Sequence, residues 1–265
     1  MPVDMAALAA DLAAESAVTL ALVAGLDELA GSGWHTPTPA AGWDIADQIG
    51  HLAYFDEVAV RAAIHPDEFR AELAAAPEGP DAIAARYRDR TGAQMLAWFE
   101  GARAELLDTF KNLDPAVRLP WFGPDMSAAS ALTARLMETW AHTQDIADAL
   151  GVTREPTGRL RHVAHIGVGT RAFSYAARGQ TPPDAAVRVE LTAPDGTLWT
   201  WGPPGAGDRV TGTALDFCLL VTQRRHRDDL DLAVTGPSAQ EWMAIAQAFA
   251  GPPGAGRAAT RKAHD

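Results

Sequence analysis

The chain has 265 residues, 48% hydrophobic and 21% charged, enough for one large or two medium globular domains. Its 34 acidic residues against 22 basic ones give a formal charge of −12, which argues against a phosphate-backbone partner and against anionic membranes. A single cysteine, Cys218, excludes an intrachain disulfide and points to a reducing, cytoplasmic setting.

The first residues lack a basic stretch and are interrupted by Asp4, Asp11 and Glu15, which argues against an export signal. No uninterrupted apolar run approaches the roughly 20 residues a membrane helix needs. Leu8, Leu12, Leu22, Leu26 and Leu29 fall at helical spacing instead and predict a first helix over about 4–30. After the loop GSGWHTPTPAAG, Asp44 is the expected N-cap of a second helix, with Asp47 adding negative charge to its first turn. That helix runs to about Ile64 and is stopped by Pro66. A third, from about Asp81 to Asn112, carries Ile83, Tyr87, Trp98, Phe99, Leu106 and Phe110. Pro120 and Pro124 bracket a loop, and Ser127 caps a fourth helix ending near Leu150. Four such helices predict a four-helix bundle over 1–150.

Beyond Gly151 the pattern changes. A helix is expected over about 157–178, capped by Thr157 and closed by Gly179. AVRVELT and TLWTW alternate with period two on either side of Pro194-Asp195-Gly196, a hairpin signal. GPPGAGD is a loop with no Lys-Ser/Thr after its glycines, so it is not a phosphate loop. Thr211 or Thr213 starts a helix through ALDFCLLVTQRRH, DLDLAVTG is a short strand, and a last helix spans Ser238 to Phe249. The fold class is therefore α+β, with a small α+β domain over 151–250. The tail, 251–265, has no apolar pattern and is expected to be flexible.

Eight histidines are present: His35, His51, His65, His142, His162, His165, His226 and His264. Glu138 and His142, four apart on the fourth helix, lie one above the other and can serve one ion. Asp145 continues their stripe, and His51 sits mid-helix at the edge of a buried face. Two imidazoles and a carboxylate leave open coordination positions, as catalytic metal sites do. Against this, Leu132, Leu136, Trp140, Ala147 and Leu150 form the apolar stripe of the fourth helix, and Glu138, His142 and Asp145 fall mostly opposite it. Periodicity alone favours a solvated face there. Ala131, Ala134, Ala141 and Ala149 share that side with no lysine, which leaves room for a pocket.

The segment GWDIADQIGHLAYFDEVA, through Trp43, Asp47, His51-Leu52-Ala53 and Asp56, resembles the second helix of the DinB-like superfamily, in particular its mycothiol-dependent maleylpyruvate isomerase group. LMETWAHTQDIADALG resembles the fourth helix of that group. The likeness covers residues 1–150 and, with less specific motifs, TGTALDFCLLVTQRRHRDDLDLAVTG. It implies a DinB-like bundle holding zinc at His51, Glu138 and His142, although two His and a carboxylate also suit iron or nickel. It further implies mycothiol as cosubstrate, its sulfur activated for isomerisation or for S-transfer. An arginine of the small domain serves as anionic anchor in this group; Arg224 and Arg225 are the best match, the other reading being cations at a solvated helix end. Arg135, on the helix of Glu138 and His142, is a weaker candidate.

Two other functions fit the same residues. One is a thiol-independent Lewis-acid enzyme, a lyase, hydrolase or cyclase; the other is a non-catalytic metal- or ligand-binding protein. Small molecules, not nucleic acid or membranes, are the expected partners. Remaining features read as structural: Cys218 within an apolar helix, Trp34 and His35 as cover, His162 and His165 either satisfied or facing solvent, and one face of the Trp199/Trp201 strand in the core.

Overall fold

Asp4 opens the chain's first helix by accepting the Ala7 amide proton, and helix α1 then runs Met5–Val23. The computed structural model describes residues 3–26, 33–75, 79–254 and 256–260, which divide into two compact units, 1–154 and 155–265. Leu29 and His264 lie outside the described residues. Among the described residues α1 is the one helix long and apolar enough to cross a membrane, yet it packs on its neighbours in the bundle, burying Leu8, Leu12, Glu15, Ser16 and Thr19.

Helix α2, Ile45–Ile64, begins with a reciprocal capping box in which the Asp44 carboxylate takes the Asp47 amide and the Asp47 carboxylate takes the Asp44 amide. Pro66 stops α2 as expected and also opens α3, Pro66–Ala74, because proline suits the first helical position. The long third helix is two: α4, Pro80–Ala85, and α5, Gly92–Phe110. A second capping box, Thr91 with Gln94, restarts the chain there, within the polar stretch RDRTGAQ that separates Tyr87 from Met95. The loop with Pro120 and Pro124 holds a two-residue hairpin, β1 Arg118–Leu119 with β2 Met126–Ser127. Ser127 caps α6, Ala128–Ala149, as expected.

Helices α1, α2, α5 and α6 form the bundle, α2 packing on α5 and α6 and α1 on both as well. Val23, Ile45, Ile49, Leu52, Met95, Phe99 and Ile146 share one apolar cluster. Next to it the interior is polar. The fully buried Asp56 carboxylate takes Arg103 Nε at 2.6 Å and Arg135 Nε at 2.9 Å. Arg103 also reaches the hydroxyls of Ser16 and, at 3.0 Å, Thr139. Burial lowers the Arg103 pKa and Asp56 opposes the shift; a guanidinium stays charged throughout. Each member finds partners, which is the condition for charges in a core.

The second unit carries α7 Leu160–Gly169 and α8 Arg171–Ala176, then β3 Val187–Thr192, β4 Leu198–Trp201, β5 Asp208–Thr213, α9 Ala214–Val221, β6 Ala233–Thr235 and α10 Pro237–Ile245. The sheet order is β4-β3-β5-β6, with β3 and β5 parallel and the other pairs antiparallel. The expected hairpin is β3–β4 and the expected late strand is β6; β5 was hidden behind the Gly/Pro run. Several helix bounds differ from expectation. The helix over 157–178 starts at Leu160 and breaks at Thr170, whose hydroxyl turns back to Ile166 and Gly167 carbonyls. Helix α9 starts after Thr213 and stops short of His226, because Gln223 adopts φ 59° and the Gln223 and Arg224 amides close back on Leu220 and Leu219. Helix α10 ends at Ile245, not Phe249, and its N-terminus is capped from β5 by Asp208 Oδ1 on the Ala239 amide. Beyond it the described residues up to Thr260 form no helix or strand, and the Thr260 amide donates to the Asp229 carboxylate.

Candidate metal centre

Two helices of the first unit supply the candidate ligands. Helix α2 presents His51, and α6 presents Glu138 and His142 one turn apart. One donor atom from each lies within 4.8 Å of the others. Glu138 Oε2 and His142 Nε2 are 3.2 Å apart, against roughly 3.4 Å for two ligands on one tetrahedral zinc at ordinary bond lengths. The His51 and His142 rings stand 4.4 Å apart, centroid to centroid. Their donor chemistry and spacing fit one divalent ion.

The tautomer of His142 is set from behind. Its Nδ1 bonds Gln48 Oε1, an oxygen that can only accept, so Nδ1 carries a proton and Nε2, on the Glu138 side, is the nitrogen that would face an ion. Gln48 is held in turn, its Nε2 donating to Thr38 Oγ1 at 2.8 Å, and Thr38 donates to the Trp43 carbonyl at 2.9 Å. Loop, α2 and α6 are thereby tied through one directed chain of hydrogen bonds. Ligand histidines are commonly oriented this way.

Aromatic rings flank the imidazoles. Trp43 lies nearly parallel to His142 at 6.0 Å and tilted to His51 at 5.3 Å, and Phe55 meets His51 at 4.6 Å. Trp43 is fixed by its indole N–H on Asp81 Oδ1 at 2.8 Å, and Arg88 ties the segment after α4 to Asp47 and to the Gly42 carbonyl. The short helix α4 therefore serves the centre by holding its tryptophan. Hydrogen bonding to Asp47 raises the Arg88 pKa.

Glu138, His142 and Asp145 do not face solvent. The Glu138 and His142 side chains are 19% and 9% exposed, and Asp145 is fully buried. Their face of α6 turns into the polar interior, so the solvated reading is corrected. Arg135, the weaker anchor candidate, is also buried there and bonds Asp56 and the Leu52 carbonyl, a structural role. Gln48 and Thr38 were missed by sequence reasoning. The signal was present in Gln48, one turn before His51 on the same face of α2.

Arg224 and Arg225 belong to the second unit. Arg224 Nη1 donates to the Thr222 carbonyl and Arg225 Nη1 to the Arg224 carbonyl, each at 2.7 Å. Cys218 is fully buried with its thiol on the Leu160 carbonyl, and desolvation pushes its pKa well up, so it is an inert core thiol. Trp34 joins the bundle core, His35 is exposed and pairs with Asp44, and His165 accepts the Trp201 indole N–H at 3.2 Å.

Comparison with known families places this centre in context. The profile of the mycothiol maleylpyruvate isomerase N-terminal domain matches residues 12–147, just over half of the chain and spanning all three candidate ligands. The chain belongs to the mycothiol maleylpyruvate isomerase family. Family likeness extends to the solved structure of mycothiol-dependent maleylpyruvate isomerase, with TM-score 0.54 and 17% identity over 88% of this chain and 95% of that one. A histidine-to-alanine mutant of that isomerase gives TM-score 0.53 and 16% identity over the same shares. At this identity the likeness shows the shared fold, a DinB-like bundle followed by an α+β part. Two relatives called uncharacterized proteins, from two strains of Mycobacterium tuberculosis, are 48% identical over 258 residues, 96% of this chain and 99% of theirs. A second profile, wyosine base formation, matches residues 183–235 of the second unit.

Proposed function

We propose that this family member is a metal-dependent enzyme acting in the cytoplasm, in which His51, Glu138 and His142 hold one divalent ion, zinc, and a small thiol, mycothiol, is the cosubstrate for isomerisation or S-transfer. The observation carrying this reading is the convergence of three donor atoms from α2 and α6, with the His142 tautomer fixed by Gln48. A bound zinc would lower the pKa of a thiol and keep it nucleophilic at neutral pH.

The chain's own residues supply the rest. Gln48 keeps His142 Nε2 turned toward the ion position, and Trp43 and Phe55 pack against the imidazole rings, which lowers the local dielectric and strengthens electrostatics there. Cys218, buried and protonated, does not compete as nucleophile, so the thiol comes from a cosubstrate. Arg224 and Arg225 anchor the anionic part of the substrate or thiol.

Metal analysis of protein purified without chelator or nickel resin tests the assignment. One equivalent of zinc is expected in wild type, and His51→Ala, Glu138→Ala and His142→Ala should each lose most of it while keeping the helical signal. Unchanged stoichiometric metal in all three variants overturns the site. Turnover of an electrophile without added thiol would instead favour Lewis-acid chemistry.

A further inference from the structure

The aromatic run that begins at Trp43 does not end at His51. One turn further along α2, Phe55 meets the His51 ring at 4.6 Å and passes the run on to Phe122 at 5.7 Å and Trp121 at 6.4 Å. Both of those residues come from the loop between β1 and β2. Phe69, the buried ring of α3, backs them at 5.7 Å and 6.3 Å. The neighbouring part of α6 is small in side chain. Arg135 bonds the Leu52 carbonyl and Asp56, so the first half of α6 lies along α2 beyond His51. There Ala134 and Ala131 stand one and two turns before Glu138. The candidate metal centre thus continues into an apolar wall, aromatic on α2 and the loop, alanine on α6.

The loop is pinned from both ends. Arg70 of α3 pairs with the Asp125 carboxylate at 2.7 Å, and Arg118 donates to the Asp125 carbonyl. Held this way, Phe122 remains 38% exposed, the one aromatic ring among the exposed large hydrophobics of the described residues. It meets Phe55, Phe69 and Trp121 at 68°, 86° and 84°, an edge-to-face arrangement that leaves more ring face open than a parallel stack. Exposed apolar surface at a site of chemistry marks a place where a ligand sits. Its size selects the ligand. Three partly covered rings of roughly 150–250 Å² each fall short of the roughly 800 Å² per partner of a stable protein interface. One flat group of a ring or two matches them.

We propose that Phe55, Trp121 and Phe122 form a specificity subsite for the flat apolar body of the substrate, an aromatic electrophile whose reacting atom lies beside the ion. The proposal rests on the metal centre of the proposed function for the position of that atom, and adds the chemical class of the electrophile. Ring-on-ring contacts favour a flat aromatic group over a short alkyl one.

Benzylacetone and methyl propyl ketone, neither of which carries an activated double bond, share a carbonyl and differ only by phenyl against methyl. Isothermal titration of the full-length protein should give one saturable site for benzylacetone, bound at least tenfold tighter than methyl propyl ketone. Burial of about two methylene equivalents already supplies that factor. Phe122→Ala should weaken benzylacetone at least threefold, within the range of one aromatic pair, and Phe122→Trp should keep the wild-type preference. Equal affinity for the two ketones, or an unchanged preference in folded Phe122→Ala, overturns the proposal. So does sedimentation showing a wild-type dimer that Phe122→Ala splits, because the wall is then an interface between copies. Repeating the titration after chelator treatment separates the two readings. A phenyl preference that persists in metal-free protein leaves the subsite standing where the metal assignment fails, whereas stoichiometric metal with no phenyl preference removes this inference alone.

Discussion

At the scale of single residues, the proposed metal centre depends on Gln48 as well as on its candidate ligands. Without the Gln48 carbonyl, the His142 proton is free to move to Nε2, and the ring loses its orientation toward Glu138. Loss of such a supporting group typically lowers metal affinity by about 10- to 100-fold. Gln48→Ala should therefore weaken zinc binding by that factor in a competition titration with a chromogenic chelator, with the helical signal unchanged. Equal affinity in variant and wild type would show that His142 is oriented by packing alone. In the sequence, His51, Glu138 and His142 are singled out as candidate ligands by family likeness and not by periodicity. A helical wheel treats charged residues as outward-facing, and α6 violates that assumption because its polar face turns into the bundle.

At the scale of elements, that violation has a definite cause in the Asp56 network. Asp56 on α2 faces Arg103 on α5 and Arg135 on α6, so three helices are joined through one buried carboxylate. Removing it leaves two guanidinium groups in the interior without their anion, a loss of about 3–5 kcal/mol when one partner of a buried pair is deleted. Asp56→Ala should lower the urea midpoint of the first unit accordingly, with an unchanged m-value. A loss below about 1 kcal/mol would mean that water or a shift of α5 compensates the arginines. Residues that cap are the elements' more readable feature: Asp44 and Ser127 start helices where the sequence placed them and Thr213 is one of the two starts it allowed, whereas the helix expected from Thr157 opens at Leu160 with no side-chain cap. Ends and interruptions were less readable. The break before α5 falls in the polar stretch RDRTGAQ, whose Thr91 and Gln94 form a capping box that the long-helix reading passed over, and α9 ends at a left-handed glutamine where glycine is the usual marker. Strand β5 followed a Gly/Pro run and was taken up into the helix start at Thr211 or Thr213, because its six residues carry too little alternation to stand out.

At the scale of the whole molecule, the two units differ in what they should feel when metal is removed. All three candidate ligands lie in the first unit, on α2 and α6, so a bound ion stabilises the folded form of that unit and not its unfolded chain. Linkage sets the size: free metal at 100 times its dissociation constant adds about 2.7 kcal/mol. For a unit of this size, each kcal/mol moves the melting temperature by about 2–4 °C, so chelation should lower the transition by roughly 5–10 °C. Scanning calorimetry with and without a chelator measures this, and readdition of zinc should restore the transition. The second unit's unfolding should not move, which provides an internal reference within the same scan. His51→Ala decides the cause. A variant that no longer holds the ion should melt at the chelated wild-type temperature and should ignore the chelator. If it shows the same chelator-dependent shift as wild type, the stabilising metal is held elsewhere, and the centre between α2 and α6 loses its thermodynamic support.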